Sequence, residues 1–488
     1  MLFPALADPA SDRTALRFPD RSLSYAQLRR VACGVAGELD GVARVAVLAE
    51  SRIETAVAVI GALMAGVPVI PINPRSGSSE LAHVVGDAEP EAVAIAPGSD
   101  VPAAFDGRRR VEIDLDAGTA QGGHDDVPPA TGELPGLSNE HPALIVYTSG
   151  TTGRPKGAVL PRRSIASNLD ALAEVWRWTD ADVVAHGLPL FHVHGLVLGI
   201  IGPVRRGGTA HHIGRFSPEG VREALEGAGT MLFGVPTMYR RLADAAAESP
   251  ELARALGGAR LLVSGSAALP ATEHARIEQL TGRSVVERYG MTETLMNTAI
   301  HAGARPAPGT VGPPLPGVDV RLVDDDGGVL EGADDETLGE IQVRGPNLFL
   351  EYLNRPDATA ETMRDGWFAT GDMATRTGDG YIRIVGRRAT DLIKSGGYKI
   401  GAGEIEGCLR EHPAVEDAAV TGEADDDLGE RVVAWIVVRD GATVAQSELI
   451  DHVAGQLAPH KRPRDVRFLD ELPRNDMGKV QKARLGQS

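Results

Sequence analysis

The residues best suited to chemistry form one loop, residues 147–157, with the sequence YTSGTTGRPKG. Three glycines let backbone N–H groups turn toward an anion, four serine and threonine hydroxyls donate further hydrogen bonds, and Lys156 adds a mobile positive charge. The loop does not match G-x-x-x-x-G-K-[ST], because Lys156 precedes Gly157 rather than a serine or threonine. The loop is therefore predicted to bind phosphates in another way. A flexible surface loop is the alternative that its composition alone would favour.

The elements that must position this loop are short apolar runs alternating with helical patterns. The runs typical of strands are 43–49, 67–72, 91–96, 143–147, 231–235, 261–264 and 284–289, and a helix is indicated at 54–65. Such alternation predicts α/β layers with buried, largely parallel sheets. The loop 147–157 directly follows one of these strands.

The pattern changes after about residue 345. A hairpin is predicted at 378–385, followed by a polar, glycine-bearing joint at 386–397. Beyond the joint, helices are expected near 403–411 and 446–457, and strands near 417–421 and 431–439. A large N-terminal domain of layered sheets and helices, residues 1–386, is therefore predicted to precede a small α+β domain, residues 392–488.

Composition narrows the class of protein. The chain has 488 residues, 43% of them hydrophobic, and a net charge of −18. An acidic surface repels polyanions, so binding to nucleic acid or to an anionic membrane is not expected. Cys33 and Cys408 lack a CxxC context, and neither a secretory signal nor a membrane-spanning run is apparent. The predicted location is the cytoplasm.

Seven motifs occur in the order found in the adenylate-forming superfamily, which the chain resembles over nearly its whole length. This superfamily comprises acyl-CoA synthetases, adenylation domains of peptide synthetases and luciferases. The motifs are the loop 147–157, PLFHVHG at 189–195, VSGSA at 263–267, ERYGMTE at 287–293, TGD at 370–372, GR at 386–387 and PRNDMGK at 473–479. The resemblance implies that a carboxylate attacks the α-phosphate of ATP, giving an acyl-adenylate and pyrophosphate, with Mg²⁺ neutralising phosphate charge.

The resemblance assigns the nucleotide site residue by residue. Residues expected to hold the β- and γ-phosphates are Thr148, Ser149, Gly150, Thr151, Thr152 and Lys156. Residues expected around adenine are Gly265, Ser266, Ala267 and Tyr289, with Glu287 and Gly290 also in the ATP site. Thr292 would contact the α-phosphate and Glu293 would bind Mg²⁺. Asp372 would accept hydrogen bonds from the ribose hydroxyls, and Arg387 would add a second contact to the nucleotide. Without the motifs, Glu293 could be an exposed carboxylate at a helix start, Asp372 a turn residue and Arg387 a surface charge.

Lys479 is the predicted catalytic residue of adenylate formation, where it would bridge the acyl oxygen and the phosphate. A solvated tail lysine is the alternative. The resemblance further implies that the small domain rotates about a hinge at 387–391 before a thiol attacks the adenylate. The stretch 386–395 is one residue longer than in many members, so the hinge residue stays open.

Coenzyme A is the expected thiol. Its pantetheine arm would pass along Lys394, Ser395, Gly396, Gly397 and Tyr398. The basic cluster HKRPR at 460–464 is either a contact for coenzyme A phosphates or a solvated patch.

Arg288 indicates which acid is used. Strand alternation places its side chain on the face opposite Glu287 and Tyr289, near the expected acyl group. A second carboxylate on the substrate would need such a partner when buried, although a structural ion pair with Glu287 is the alternative. With FHVHG upstream, the motif resembles the malonyl-CoA and methylmalonyl-CoA synthetase branch. There His194 would assist at the distal carboxylate, and His192 and Met291 would shape the acyl pocket.

The predicted function is ATP-dependent formation of malonyl-CoA or methylmalonyl-CoA from the diacid and coenzyme A. The expected ligands are a small dicarboxylic acid, ATP, Mg²⁺ and coenzyme A, with no obligatory protein partner. Four alternatives remain from the sequence: an adenylation enzyme that loads a separate carrier protein, another short-chain acyl-CoA synthetase, a luciferase-like oxygenase, and a nucleotide-binding protein without catalysis.

Overall fold

The structure, a computed structural model, describes residues 1–8, 10–116, 136–148, 154–305, 307, 309–388, 391–396, 398–425, 427–474 and 480–486. Within these ranges the helices are α1 (Tyr25–Glu38), α2 (Ile53–Met64), α3 (Ser78–Ala88), α4 (Arg162–Trp176), α5 (Gly202–Arg206), α6 (Pro218–Gly227), α7 (Pro236–Glu248), α8 (Pro250–Gly258), α9 (Ala271–Thr281), α10 (Pro356–Thr362), α11 (Ala402–Arg410) and α12 (Gln446–Gln456). A π-helix spans His194–Ile201, and short 3₁₀ helices span Pro4–Ala7, Ala103–Phe105, Pro459–Lys461 and Lys482–Arg484.

The strands of the described residues form four sheets. They are β1 (Thr14–Arg17), β2 (Ser22–Ser24), β3 (Val45–Leu48), β4 (Val69–Ile72), β5 (Ala92–Ile95), β6 (Arg109–Glu112), β7 (Pro142–Thr148), β8 (Lys156–Pro161), β9 (Val183–His186), β10 (Thr209–His212), β11 (Met231–Gly234), β12 (Leu261–Ser264), β13 (Val285–Met291), β14 (Leu295–Ala299), β15 (Asp319–Val323), β16 (Gly339–Arg344), β17 (Glu351–Tyr352), β18 (Met363–Arg364), β19 (Trp367–Arg376), β20 (Ile382–Arg387), β21 (Leu392–Ser395), β22 (Tyr398–Gly401), β23 (Val415–Asp425), β24 (Gly429–Val438) and β25 (Asp465–Leu469).

Two largely parallel sheets carry the layered core. One has the order β14-β13-β12-β11-β9-β10-β1-β2, the other β17-β8-β7-β4-β3-β5-β6. Their central strands pair in parallel, and antiparallel pairs lie toward the edges. Strands such as β11 and β12 are buried at all four residues, which is what strands covered on both faces require. The predicted α/β layers with parallel sheets are confirmed here.

Helix α2 is buried at every residue and packs on α1. A Cβ added at Gly61 would lie 2.8 Å from the Ala32 carbonyl oxygen, so the glycine permits this close crossing. The apolar run around 54–65 is therefore continuous rather than amphipathic, because the helix has no face toward water.

The third and fourth sheets differ from the parallel pattern. The third, with the order β15-β16-β19-β18 and β20 beside β19, is antiparallel throughout. The predicted hairpin at 378–385 is the β19–β20 turn within it. The fourth sheet, β22-β21-β24-β23 with β25 beside β24, packs on α11 and α12 and forms the core of the C-terminal part. The predicted fold class, a large layered part followed by a small α+β part, is confirmed.

No described helix combines the length and the apolar character needed to cross a membrane.

Candidate active site

Arg288 lies on β13, at the carboxyl end of the parallel strands β11, β12 and β13. Its neighbour Glu287 points to the other face of the sheet, where its oxygens accept hydrogen bonds from the Leu269 backbone N–H and the His274 Nε2, both at 2.9 Å. The alternative of an ion pair between Arg288 and Glu287 is not observed among the described residues. Both carboxylate oxygens of Glu287 are therefore bonded within the protein, and its role in ATP binding stays a prediction.

The Arg288 guanidinium is buried, with 5% exposure, yet its Nε and Nη2 have no hydrogen-bond partner among the described residues. It lies directly over Gly265, where an added Cβ would be 2.3 Å from the guanidinium carbon. Burial lowers the pKa of Arg288 to about 10, against the opposing effect of Glu287. Because this pKa is well above neutrality, the side chain is a buried cation with N–H groups to spare.

His194 is a second buried group without a partner. Both of its ring nitrogens lack hydrogen bonds in the described part of the chain, and its ring centroid lies 6.3 Å from that of Phe233. Burial, followed by the nearby charge of Arg288, holds the pKa of His194 well below its ordinary value. A neutral imidazole at pH 7 offers one N–H donor and one acceptor.

Ser264, the last residue of β12, also has a buried and unpartnered Oγ within the described ranges, but it pairs with Glu287 and therefore lies on the face of the sheet away from Arg288. We call Arg288 and His194 the unpaired cluster, because they lie close enough for their charges to interact and both have unpartnered nitrogens. Buried polar atoms are normally hydrogen-bonded, so a cluster of unpaired ones marks a place where a polar ligand belongs. His192 lies two residues before the start of the π-helix at His194, with its ring centroid 4.5 Å from that of Phe191. Met291 packs on the hydrophobic core.

Asp372 is the centre of the predicted ribose side. It accepts a hydrogen bond from the Tyr289 hydroxyl at 2.6 Å and pairs with the Arg387 Nε at 3.0 Å. The Asp372 backbone N–H donates to the Thr370 Oγ1 at 3.0 Å, and Asp372 pairs with Arg387 across β19 and β20, so the backbone that carries the carboxylate is fixed. Burial, and then Asp372, raise the pKa of Tyr289 well above its ordinary value, so the phenol remains a donor. Residues predicted from three separate motifs therefore meet at one point.

Glu293 is a buried carboxylate whose Oε1 accepts a hydrogen bond from the Tyr352 hydroxyl at 2.7 Å. The Lys156 Nζ lies 4.8 Å from the centre of the Tyr352 ring. Burial, followed by Glu293, raises the pKa of Tyr352. No ion pair of Glu293 with a basic residue is found among the described residues. A carboxylate held by a neutral hydroxyl fits the hard oxygen ligand that Mg²⁺ prefers.

Tyr352 was missed from the sequence because it lies outside every motif. Its position depends on the pairing of β17 with β8, where Tyr352 faces Ala158. That register brings it to the strand that carries Lys156.

The predicted phosphate loop connects β7 to β8, so an antiparallel pair fixes both of its ends. The Tyr147 hydroxyl donates to the Asp87 carboxylate at 2.7 Å, and the His83 Nε2 donates to the Pro155 carbonyl at 2.8 Å. Thr148 lies at the end of β7, with its Oγ1 3.4 Å from the Lys156 carbonyl oxygen. Four further predicted phosphate contacts lie outside the described residues: Ser149, Gly150, Thr151 and Thr152.

At two positions of the nucleotide motifs the fold itself requires glycine, because a side chain would have no room. A Cβ at Gly290 would lie 1.8 Å from the Leu295 carbonyl oxygen, so this glycine allows the close approach of β13 and β14 at the bulge between Tyr289 and Gly290. The turn that follows carries Thr292 and Glu293. Gly265 makes room for Arg288, as described above. The following Ser266 is exposed, with φ of +74°, and Ala267 is exposed beside it. A non-glycine residue in this region of φ is uncommon and is often found at ligand sites.

The predicted coenzyme A passage is exposed at Lys394, Gly396 and Tyr398, whereas Ser395 is buried. The Tyr398 ring stacks on His460 at 4.1 Å, which brings this loop to the cluster 460–464. In that cluster Lys461 pairs with Glu404 at 2.5 Å, so part of its charge is neutralised. Gly397 and the predicted catalytic Lys479 lie outside the described residues.

Comparisons with known proteins agree with the motifs. A family described as "AMP-binding enzyme" matches residues 3–353, and its "AMP-binding enzyme C-terminal domain" matches residues 404–479. Malonate–CoA ligase of Arabidopsis thaliana is 34% identical, over 99% of this chain and 87% of that protein. These matches confirm the predicted family.

Two solved structures are similar in different ways. A malonyl-CoA ligase, in a ternary product complex with methylmalonyl-CoA and AMP, is 59% identical, covers 97% of this chain and 100% of its own, and has a TM-score of 0.74. ATP-bound MatB from Rhodopseudomonas palustris is 34% identical, over 98% of this chain and 97% of its own, with a TM-score of 0.88. If sequence divergence alone determined structural similarity, the more identical malonyl-CoA ligase would have the higher TM-score.

Proposed function

Since this chain belongs to the family of AMP-binding enzymes, we propose that it is an ATP-dependent ligase that joins a small dicarboxylic acid to coenzyme A. The products are malonyl-CoA or methylmalonyl-CoA, AMP and pyrophosphate, and the co-substrates are ATP with Mg²⁺ and coenzyme A. Relatives named malonate–CoA ligase and the 59% identical malonyl-CoA ligase support this assignment. They favour a catalytic CoA ligase over an oxygenase or a protein that only binds nucleotide.

The observation that carries the choice of acid is the unpaired cluster. Arg288 has two buried N–H-bearing nitrogens without partners, and His194 offers a neutral donor. A distal carboxylate placed there would receive charge-assisted hydrogen bonds and remove the cost of an uncompensated buried cation. A monocarboxylic acid of the same size would leave that cation unpaired. The cluster therefore favours a diacid.

The first step places the reacting carboxylate against the α-phosphate. In this proposal Lys156 and Thr148 hold the terminal phosphates, Thr292 contacts the α-phosphate, and Lys479 neutralises charge as the acyl–phosphate bond forms. Mg²⁺, held by Glu293, supplies charge neutralisation on the phosphates when bound. Asp372, oriented by Tyr289 and Arg387, positions the ribose.

The second step requires Lys479 to leave and coenzyme A to enter. We propose that the small domain, residues 392–488, rotates about the hinge 387–391 relative to residues 1–386. Residues 389 and 390 of this hinge lie outside the described residues. The order of the two TM-scores supports the proposal, because rotation between two rigid parts lowers a whole-chain score even at high identity. Lys394 and Tyr398 would then line the passage for the pantetheine arm.

A cytoplasmic location is also part of the proposal. It rests on the two cysteines, Cys33 and Cys408, which are both free and suit a reducing compartment.

A panel of acids tests the choice of substrate. Pyrophosphate release from ATP is expected to require malonate or methylmalonate. Propionate, which matches methylmalonate without the second carboxylate, and octanoate are expected to give less than a hundredth of that rate, since a buried cation left unpaired costs about 3–5 kcal/mol. Release is measured with a coupled pyrophosphate assay at equal acid concentrations. Equal rates with propionate or octanoate would reject the diacid assignment.

A further inference from the structure

Away from the hinge, a charged contact joins the large domain to the small one. Arg240 lies on α7 of the large domain, and Glu416 lies on β23 of the small domain. The Arg240 guanidinium donates to the Glu416 carboxylate and, at 3.2 Å, to the Glu416 backbone carbonyl. A planar guanidinium that contacts both groups is directional, so the pair specifies one relative orientation of the domains.

The surroundings of this pair are charged rather than apolar. It borders a cleft of about 360 Å³ whose charged walls are Asp244, Glu273 and Arg276 on the large domain and Arg410, Glu411 and Arg439 on the small domain. An interface of this kind is held by electrostatics, which makes it easier to separate than a hydrophobic one.

Arg240 also has a second acidic neighbour on its own domain. Burial raises the pKa of Glu273, and the charges of Arg276 and Arg240 oppose that rise. One buried oxygen of Glu273 has no hydrogen-bond partner in the described part of the chain. The same oxygen lies 3.9 Å from the Arg276 Nη1, and the charge of Glu273 still attracts Arg240 when Glu416 moves away with the small domain.

We propose that Arg240 and Glu416 are positioning residues that hold the small domain in the orientation for adenylate formation and separate before thioester formation. This rests on the proposed function, because it assumes the two steps and the rotation between them. The structure that contains this pair is more similar to ATP-bound MatB than to the product complex with methylmalonyl-CoA. The TM-scores are 0.88 and 0.74, respectively.

The strength of the contact suits such a role. The side chains of Arg240 and Glu416 are 32% and 37% exposed. A pair exposed to this extent changes a conformational equilibrium by about 1.5- to 5-fold. Both orientations therefore stay accessible. Loss of the pair raises the fraction of enzyme that is competent to bind coenzyme A, and the apparent affinity rises with that fraction.

The two half-reactions test the proposal in the full-length enzyme. In Glu416→Gln and in Arg240→Gln, thioester formation from supplied malonyl-adenylate at subsaturating coenzyme A is expected to become about 1.5- to 5-fold faster. Malonate-dependent pyrophosphate release is expected not to increase. The double variant Arg240→Gln with Glu416→Gln is expected to change the ratio of the two rates no more than either single variant, because each single variant already removes the same contact.

Glu226→Gln is the matched control, because Glu226 pairs with Arg222 on the same helix and is 40% exposed. It is expected to leave the ratio of the two rates unchanged. A ratio that stays constant in the Arg240 and Glu416 variants, or to which the two single changes contribute additively in the double variant, would overturn the proposal. Failure of the unmodified enzyme to form a thioester would instead reject the proposed function, so the two failures are distinguishable.

Discussion

Replacing Lys479 by alanine is expected to lower the rate of adenylate formation by at least 100- to 1,000-fold. The reason is that a preorganised donor at the point where charge develops contributes about 3–4 kcal/mol to catalysis. Thioester formation from supplied malonyl-adenylate is expected to stay within about threefold of the unmodified enzyme, because the proposed rotation of the small domain would move residue 479 away before this step. Rapid-quench measurement of each half-reaction checks both statements.

Lys479→Arg is the companion variant for this experiment. It keeps the charge but changes the shape of the donor, so it is expected to recover only part of the adenylation rate. An equal loss of both half-reactions in Lys479→Ala would contradict the assignment, since it would indicate general damage to the small domain.

Replacing Arg288 by methionine or alanine is expected to lower kcat/KM for malonate by about 100- to 1,000-fold, while the KM for ATP changes by less than about threefold. Breaking one half of a buried charge pair costs about 3–5 kcal/mol, and here the stranded half would be the distal carboxylate of the substrate. Steady-state kinetics with each substrate varied in turn gives both values.

The melting temperature of an Arg288 variant distinguishes a role of Arg288 in the acyl site from a purely structural role. Its Nε and Nη2 have no partners in the protein among the described residues. Methionine is therefore expected to leave the melting temperature unchanged or to raise it, because an unpaired buried cation is removed. A large drop in melting temperature, or unchanged malonate kinetics, would reject the role in the acyl site.

Gly265→Ala offers an independent way to move the same guanidinium. An added Cβ would lie 2.3 Å from its carbon, so Arg288 must shift. A decrease of about tenfold or more in kcat/KM for malonate is expected, as overpacking costs about 1–3 kcal/mol. Gly34→Ala on α1, where an added Cβ has nothing within 4 Å, is the control and is expected to leave the kinetics unchanged.

Local sequence patterns were enough to predict the strands that surround the site. The run 261–264 is found unchanged as β12, and 231–235 differs from β11 by one residue, because a short strand buried on both faces is apolar at every position. The same reasoning placed Arg288 and Glu287 on opposite faces of β13, since alternation in a strand is a local property.

Features that depend on distant pairing could not be predicted in this way. Tyr352 reaches Glu293 only because β17 adds to the edge strand β8. The room that Gly265 leaves for Arg288 depends on the register between β12 and β13. Arg240 and Glu416 are 176 positions apart and belong to different domains, so no spacing in the sequence relates them.

The most direct test of the account follows oxygen atoms through one reaction. Malonate labelled with ¹⁸O in its carboxylates is incubated with the enzyme, ATP, Mg²⁺ and coenzyme A, and the products are analysed by mass spectrometry. If a carboxylate oxygen attacks the α-phosphate, malonyl-CoA is formed, AMP carries one ¹⁸O, and pyrophosphate carries none. Formation of ADP with labelled phosphate, or of AMP without label, would contradict a ligase that works through malonyl-adenylate.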